Sequence, residues 1–271
     1  MKKLIYILII AITFSSCSEY QKALKSEEIG AKFKMGTDLF DAGKYAKAHR
    51  LFLQIVPKYR GKPQAEKLMF MHTKAYYELR EYYTSNYQAE RFVSAYPKSE
   101  KAEEIAFLGA KSFYHLSPVY SKEQKETVDA IQKLQDFING YPGSSYIDEA
   151  TKLVQELDYK LEKKAFEIAK QYYTIAPVNF GDYNAAIKAF DNFISEFPGT
   201  SFREEAMFYK FDSAYKLAIN SVEWKKEERV KDAILYYSSF KSRYNTSEHI
   251  EEADKKNIEL TELQKEFNTK S

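Results

Sequence analysis

The chain has 271 residues, with 41 Lys and Arg against 39 Asp and Glu and a formal charge of +2. Removing residues 1–16 takes away Lys2 and Lys3 and brings that charge to zero, which excludes the basic excess that a nucleic-acid binder needs. One cysteine excludes disulfides and thiolate metal sites, and His49, His72, His115 and His249 lack metal-ligand spacing, so no metal or cofactor is expected.

Residues 1–16 read as an export signal. Lys2-Lys3 is followed by an apolar run of 11 from Leu4 to Phe14, interrupted by one Thr, and then by small residues. A bilayer-spanning helix needs roughly 20 apolar residues, so this run is too short for a permanent anchor. Phe14-Ser15-Ser16-Cys17 resembles a bacterial lipobox, which makes Cys17 the lipidated amino terminus and residues 17–30 a tether. The several acyl chains of such a lipoprotein hold more firmly than one.

From residue 31 the chain repeats itself. An aromatic, a turn and an acidic residue or pair recur at Tyr59 with Glu66, Tyr96 with Glu103-Glu104, Tyr141 with Asp148-Glu149, Phe197 with Glu204-Glu205, and Tyr244 with Glu251-Glu252. The aromatics lie 37, 45, 56 and 47 residues apart, near the period of helix-pair repeats. Eleven residues before each comes Ala48, Ser85, Ala130, Ala186 or Ala233, and four before comes Ile55, Phe92, Phe137, Phe193 or Phe240. A small residue where two helices cross, locked in phase to a bulky plug, predicts an all-α solenoid of about five tetratricopeptide-like helix pairs. Residues 31–60 fit that pattern closely through Gly36, Leu39, Gly43, Tyr45, Ala48, Phe52 and Ile55. Pro97, Pro142 and Pro198 stop one helix, Ser145-x-x-Asp148 and Ser201-x-x-Glu204 read as capping boxes opening the next, and the acidic residues sit in a first turn.

Two segments depart from a plain array. Residues 115–126 place a Pro-containing loop in the third repeat. From Asp148 to Thr174 apolar residues step by threes and fours without a breaker, which predicts one long helix joining repeats 1–3 (31–147) to repeats 4–5 (148–271), with a loop over 175–182.

No Gly-rich phosphate loop, nucleophile elbow or triad context is visible, so the chain reads as a binding protein rather than an enzyme. First helices of tetratricopeptide pairs line the concave face. There, eleven, fifteen and eighteen residues after the aromatic, stand Phe70, Lys74, Tyr77 and then Phe107, Lys111, Tyr114. Offsets of four and seven put each trio on one helical face, which suits an extended peptide whose carboxylate meets a cation. Packing aromatics with lysines reaching to solvent is the competing reading. The last repeat has Phe208, Asp212 and Tyr215, so Asp212 and Tyr215 predict an opposite groove charge and a second partner.

Tyr141-Pro-Gly-Ser-Ser-Tyr-Ile-Asp-Glu-Ala-Thr-Lys-Leu, with Leu157, Leu161, Ile168-Ala169, Tyr172-Tyr173, Tyr183 and Phe197-Pro-Gly-Thr, resembles the central stretch of the BamD family. That resemblance extends in repeat number and order over the mature chain. It implies a lipoprotein on the periplasmic face of the outer membrane that docks on the POTRA domains of BamA through its C-terminal repeats. Its N-terminal repeats would then handle unfolded β-barrel precursors, which commonly end in an aromatic residue with a free carboxylate. Well-known members carry a BamA-facing arginine where this chain has Ala189; Lys188 beside it points elsewhere on the helix, so that contact is not carried over, and Lys188 stands only as a candidate partner-binding residue. A repeat lipoprotein scaffolding cell-wall or envelope enzymes is the alternative.

Overall fold

The computed structural model describes residues 19–270, and among them it is all-α, with twelve helices. The export signal and Cys17 lie outside the described residues. Helix α1 covers residues 19–25. It is followed by α2 (Ile29–Asp41), α3 (Tyr45–Tyr59), α4 (Ala65–Glu78), α5 (Tyr82–Ala95), α6 (Ala102–Leu116) and α7 (Lys125–Gly140). Then come α8 (Ile147–Ile175), α9 (Tyr183–Glu196), α10 (Arg203–Ile219), α11 (Glu223–Arg243) and α12 (Ile250–Lys270). The even-numbered helices from α2 onward are called A helices here, and the odd-numbered ones from α3 onward B helices.

The recurrent phrase folds the same way in each repeat. After B helices α5, α7, α9 and α11 the chain leaves at Tyr96, Tyr141, Phe197 and Tyr244, whose φ values lie between −120° and −133°. Each of these aromatics donates its backbone N–H to the plug four residues back, and three of the rings lie 5.2–5.4 Å from the plug's ring. Two overlapping turns follow, as in Ser144 N–H to Tyr141 O and Ile147 N–H to Ser144 O. The first phrase differs: α3 runs through Tyr59 and the turn uses Gly61 at φ 79°.

The expected capping boxes at Ser145 and Ser201 do not form, and a local bond one residue earlier takes their place. Ser144 Oγ accepts from Tyr146 N–H at 3.1 Å and Thr200 Oγ1 from Phe202 N–H at 3.2 Å, whereas Ser145 and Ser201 are exposed turn residues. Ser99 and Ser247 make the same local bond. The double turn faces these hydroxyls inward, closing a Ser/Thr turn rather than a helix cap.

Contacts divide the chain into two compact units, and the division falls within α8, between Leu157 and Asp158. In unit 1 successive helices pack on one another from α2 to α7, and α4 also touches α2 and α6. The small residues at the crossings, Ala48, Ser85 and Ala130, are fully buried, as are the plugs Ile55 and Phe92, with Phe137 nearly so. Burying a Phe completely contributes about 1.5–3 kcal/mol. Residues 19–25 are not a bare tether: Tyr20 and Ala23 bury themselves against Leu51. His49 and His72 stack at 5.1 Å in the interior, and burial, helped by His49, lowers the His72 pKa to about 3.

Unit 2 contains residues 119–122 and everything from Asp158 onward. Its cores gather Phe166 and Ala169 with Phe190 and Phe193, and Phe208 and Phe211 with Val230, Phe240 and Leu260. Ala186 and Ala233 are again fully buried at the crossings. The segment after α8 forms two single 3-10 turns, Ala176–Val178 and Phe180–Asp182. The 29-residue α8 is about 43 Å long at 1.5 Å per residue.

Two glycines separate crowding from backbone preference. A Cβ on Gly36 would lie 2.6 Å from Cε1 of the fully buried Phe52, whereas one on Gly140, the last residue of α7, would meet nothing within 4 Å. Gly36→Ala is predicted to cost about 1–3 kcal/mol by overpacking, and Gly140→Ala to stabilise by about 0.5–1 kcal/mol by limiting the unfolded chain. Urea unfolding of the two variants beside wild type measures both signs.

Candidate functional site

The A helices of unit 1 present the two trios, and each lysine already has a partner. Lys74 Nζ lies 2.7 Å from Glu104 Oε1, and Lys111 Nζ lies 2.6 Å from Glu149 Oε1, so each lysine bridges to the next A helix. Burial disfavours the charge on Lys74, but the bond to Glu104 together with the attraction of Glu104 and Glu78 outweighs this and raises its pKa. Burial likewise acts against the Glu104 carboxylate, yet Lys74 and Lys101 hold it below its ordinary value. Each lysine also lies over its own phenylalanine, Lys74 at 5.8 Å from the centre of Phe70 and Lys111 at 5.6 Å from that of Phe107.

The aromatic members are occupied too. Phe107 is buried and stacks on Tyr146 at 4.6 Å. Tyr77 Oη and His115 Nε2 are 3.1 Å apart. Tyr114 Oη donates to Glu156 Oε2 at 2.7 Å, a bond that with burial pushes its pKa up to about 12. The trios thus form a ladder of ion pairs and hydrogen bonds between neighbouring A helices, and an incoming carboxylate would have to displace a glutamate from each lysine.

The acidic residues of the recurrent phrase are the other half of this ladder. Glu104 and Glu149 receive the lysines, while Glu66 and Glu103 accept from Ser99 and Ser144 of the following turn at 2.6 and 2.5 Å. Within unit 2 a third trio, Phe166, Lys170 and Tyr173, has the same offsets of four and seven. Lys170 lies 3.7 Å from Glu205, and Tyr173 donates to Asp212 at 2.6 Å.

Asp212 was expected to invert the groove charge, but the structure gives it an internal task. It is 1% exposed and lies between Lys216, at 2.7 Å, and Lys256, with Tyr173 as a third donor. Burial would raise its pKa, yet the bonds from Lys216, Lys256 and Tyr173 outweigh this and hold it below the ordinary value. Tyr215 is half-buried and donates to Glu259 at 2.5 Å. Lys188, by contrast, is exposed on α9.

Two grooves lie between B helices. In unit 1 a trough of about 800 Å³ runs between α3 and α5 over α4. In unit 2 a groove of about 370 Å³ lies between α9 and α11, lined by Lys188, Asp191, Lys225, Glu228, Arg229 and Asp232 among others. Sequence spacing gave no signal for the trough, because its walls come from helices about thirty residues apart.

Stacked helix pairs cross-linked by repeating side-chain bonds, with grooves left between the second helices, define a helical-repeat binding scaffold. The chain belongs to the YfiO family of outer membrane lipoproteins, whose model matches residues 27–223. Over 235 residues it is 23% identical to the outer membrane protein assembly factor BamD of Caulobacter vibrioides, covering 85% of this chain and 74% of that protein. Outer-membrane association follows from the family, and among the described residues no helix is long and apolar enough to cross a membrane.

The buried carboxylate sets a pH test. Because the folded pKa of Asp212 is depressed, its stabilisation is complete above the unfolded value near 4 and is lost as pH falls through the folded value. Asp212→Asn should cost about 2–4 kcal/mol at pH 7, somewhat less than breaking a fully enclosed pair because Lys216 keeps solvent contact. Urea unfolding at pH 7 and pH 3 should show this cost shrinking at the lower pH.

Proposed function

We propose that the chain is a lipid-anchored assembly factor for outer-membrane β-barrels, held through Cys17 at the periplasmic face. It binds the POTRA domains of BamA through unit 2 and unfolded barrel precursors through unit 1. The family match over residues 27–223 carries this reading, since it spans most of both units. The chain acts by holding partners in place and not by bond chemistry.

The geometry supports a division of labour. Asp212 and Tyr215 are committed inside unit 2, so they are poor candidates for meeting BamA. Lys188 remains, exposed at the edge of the groove between α9 and α11. Its neighbour Ala189 packs against the core around Phe190, so the contact made elsewhere in the family by an arginine at that position is not carried over, and Lys188 is a candidate on its own exposure alone.

Purified mature chain and BamA periplasmic domains should co-elute on gel filtration. Lys188→Glu should weaken that complex about tenfold, the worth of one close interfacial charge pair. Capture of an unfolded barrel precursor should not change. If the wild-type chain fails to bind the BamA domains, the reading is wrong; if Lys188→Glu binds as wild type, the contact lies elsewhere on unit 2.

A further inference from the structure

The interior of the first repeat holds two histidines that take no part in any contact with a partner. His49 of α3 and His72 of α4 are 8% and 3% exposed, and their rings stack at 5.1 Å with an interplanar angle of 20°. The Tyr76 ring lies against both, at 4.4 Å from His49 and 4.7 Å from His72, and Phe52 stands edge-on to His72 at 6.4 Å. Neither ring nitrogen of His72, and not Nδ1 of His49, has a hydrogen-bond partner among the described residues. The pair is a seam of two neutral imidazoles between α3 and α4, held by ring contact in place of polar bonds.

A buried imidazole without a partner tolerates the neutral form and resists the charged one. Few charges reach the pair. From α2 the core side carries Phe33 and Leu39, and from the turn before α5 Glu81 draws His49 toward protonation, which burial outweighs. No acid acts on His72, and burial and the neighbouring His49 both lower its pKa, to about 3. In the unfolded chain an imidazole titrates near 6.5. Because the folded value is depressed, the seam is fully stable above the unfolded value. As pH falls from about 6.5 towards 3, His72 alone weakens the folded form by close to tenfold per pH unit. Charging both rings would also set two cations about 5 Å apart.

We propose that the His49–His72 seam is an acid-sensitive joint, at which α3 and α4 part locally as the solution turns mildly acid while unit 2 stays folded. Its position gives the joint two consequences. α3 carries α1, through Leu51 against Tyr20 and Ala23, and it is also one wall of the trough over α4. Loosening α3 frees the segment next to the expected anchor and dismantles the trough at the same time. Unit 2 contains a single histidine, the partly exposed His249, and the bonds of Asp212 keep their full contribution down to about pH 4.

Hydrogen-exchange mass spectrometry of the purified mature chain at pH 7 and pH 5, corrected for the pH dependence of intrinsic exchange, reads each helix separately. Protection within α3 and α4 should fall at least about tenfold at pH 5, while protection within α10 and α11 is kept. His49→Phe with His72→Phe should abolish that fall. His72→Leu, which is close to histidine in size, should also reduce it and decides the matter if the double variant does not fold. Unchanged protection of wild-type α3 and α4 at pH 5 overturns the proposal, as does a fall of the same size in the histidine variants or an equal fall in α10 and α11.

Discussion

A helix pair with one apolar face cannot close a core alone, so each repeat must bury its plug against the next pair. In unit 1, Phe92 packs against Ile105 of the following A helix, and Phe137 meets Phe107 and the start of α8. Small crossing residues follow from the same need. Ser85 and Ala130 are fully buried where a larger side chain would force the helices apart. Apolar burial supplies most of the stability, but it is not directional. Polar bonds between neighbouring A helices can fix the register that burial leaves loose, and the lysine–glutamate and serine–glutamate bonds of unit 1 are placed to do so.

That cross-linking has a cost for recognition. A lysine held at 2.6–2.7 Å by a glutamate carries little free charge, and a ligand must replace a made bond before it gains a new one. The A-helix face of unit 1 is therefore used to hold the repeats together. Charge left without an ion-pair partner among the described residues, as on Arg60 and Arg91, lies on the other side, where the second helices stand apart and leave a trough.

The crossing residues and plugs were legible in the sequence because they recur at fixed distances from an unmistakable aromatic. The trios were legible as faces but not as contacts: Lys74 and Glu104 are thirty residues apart, and only the packing of α4 against α6 joins them. The third trio escaped because Phe166 stands 25 residues after Tyr141, not eleven, displaced by the extra turns of α8. Ser145 and Ser201 fit a capping pattern in the sequence because a capping box and a Ser/Thr turn differ by one residue in an otherwise similar string. Asp212 read as a groove charge because nothing local announces Lys256, forty-four residues on in another helix.

Site-specific photo-crosslinking in cells tests most directly whether unit 1 meets its partner on the B-helix side. A photoreactive residue at position 87, exposed on α5 in the trough, is predicted to capture unfolded barrel precursors, and one at position 78, exposed on A helix α4, is predicted not to. Capture from position 78 with none from position 87 would contradict the account.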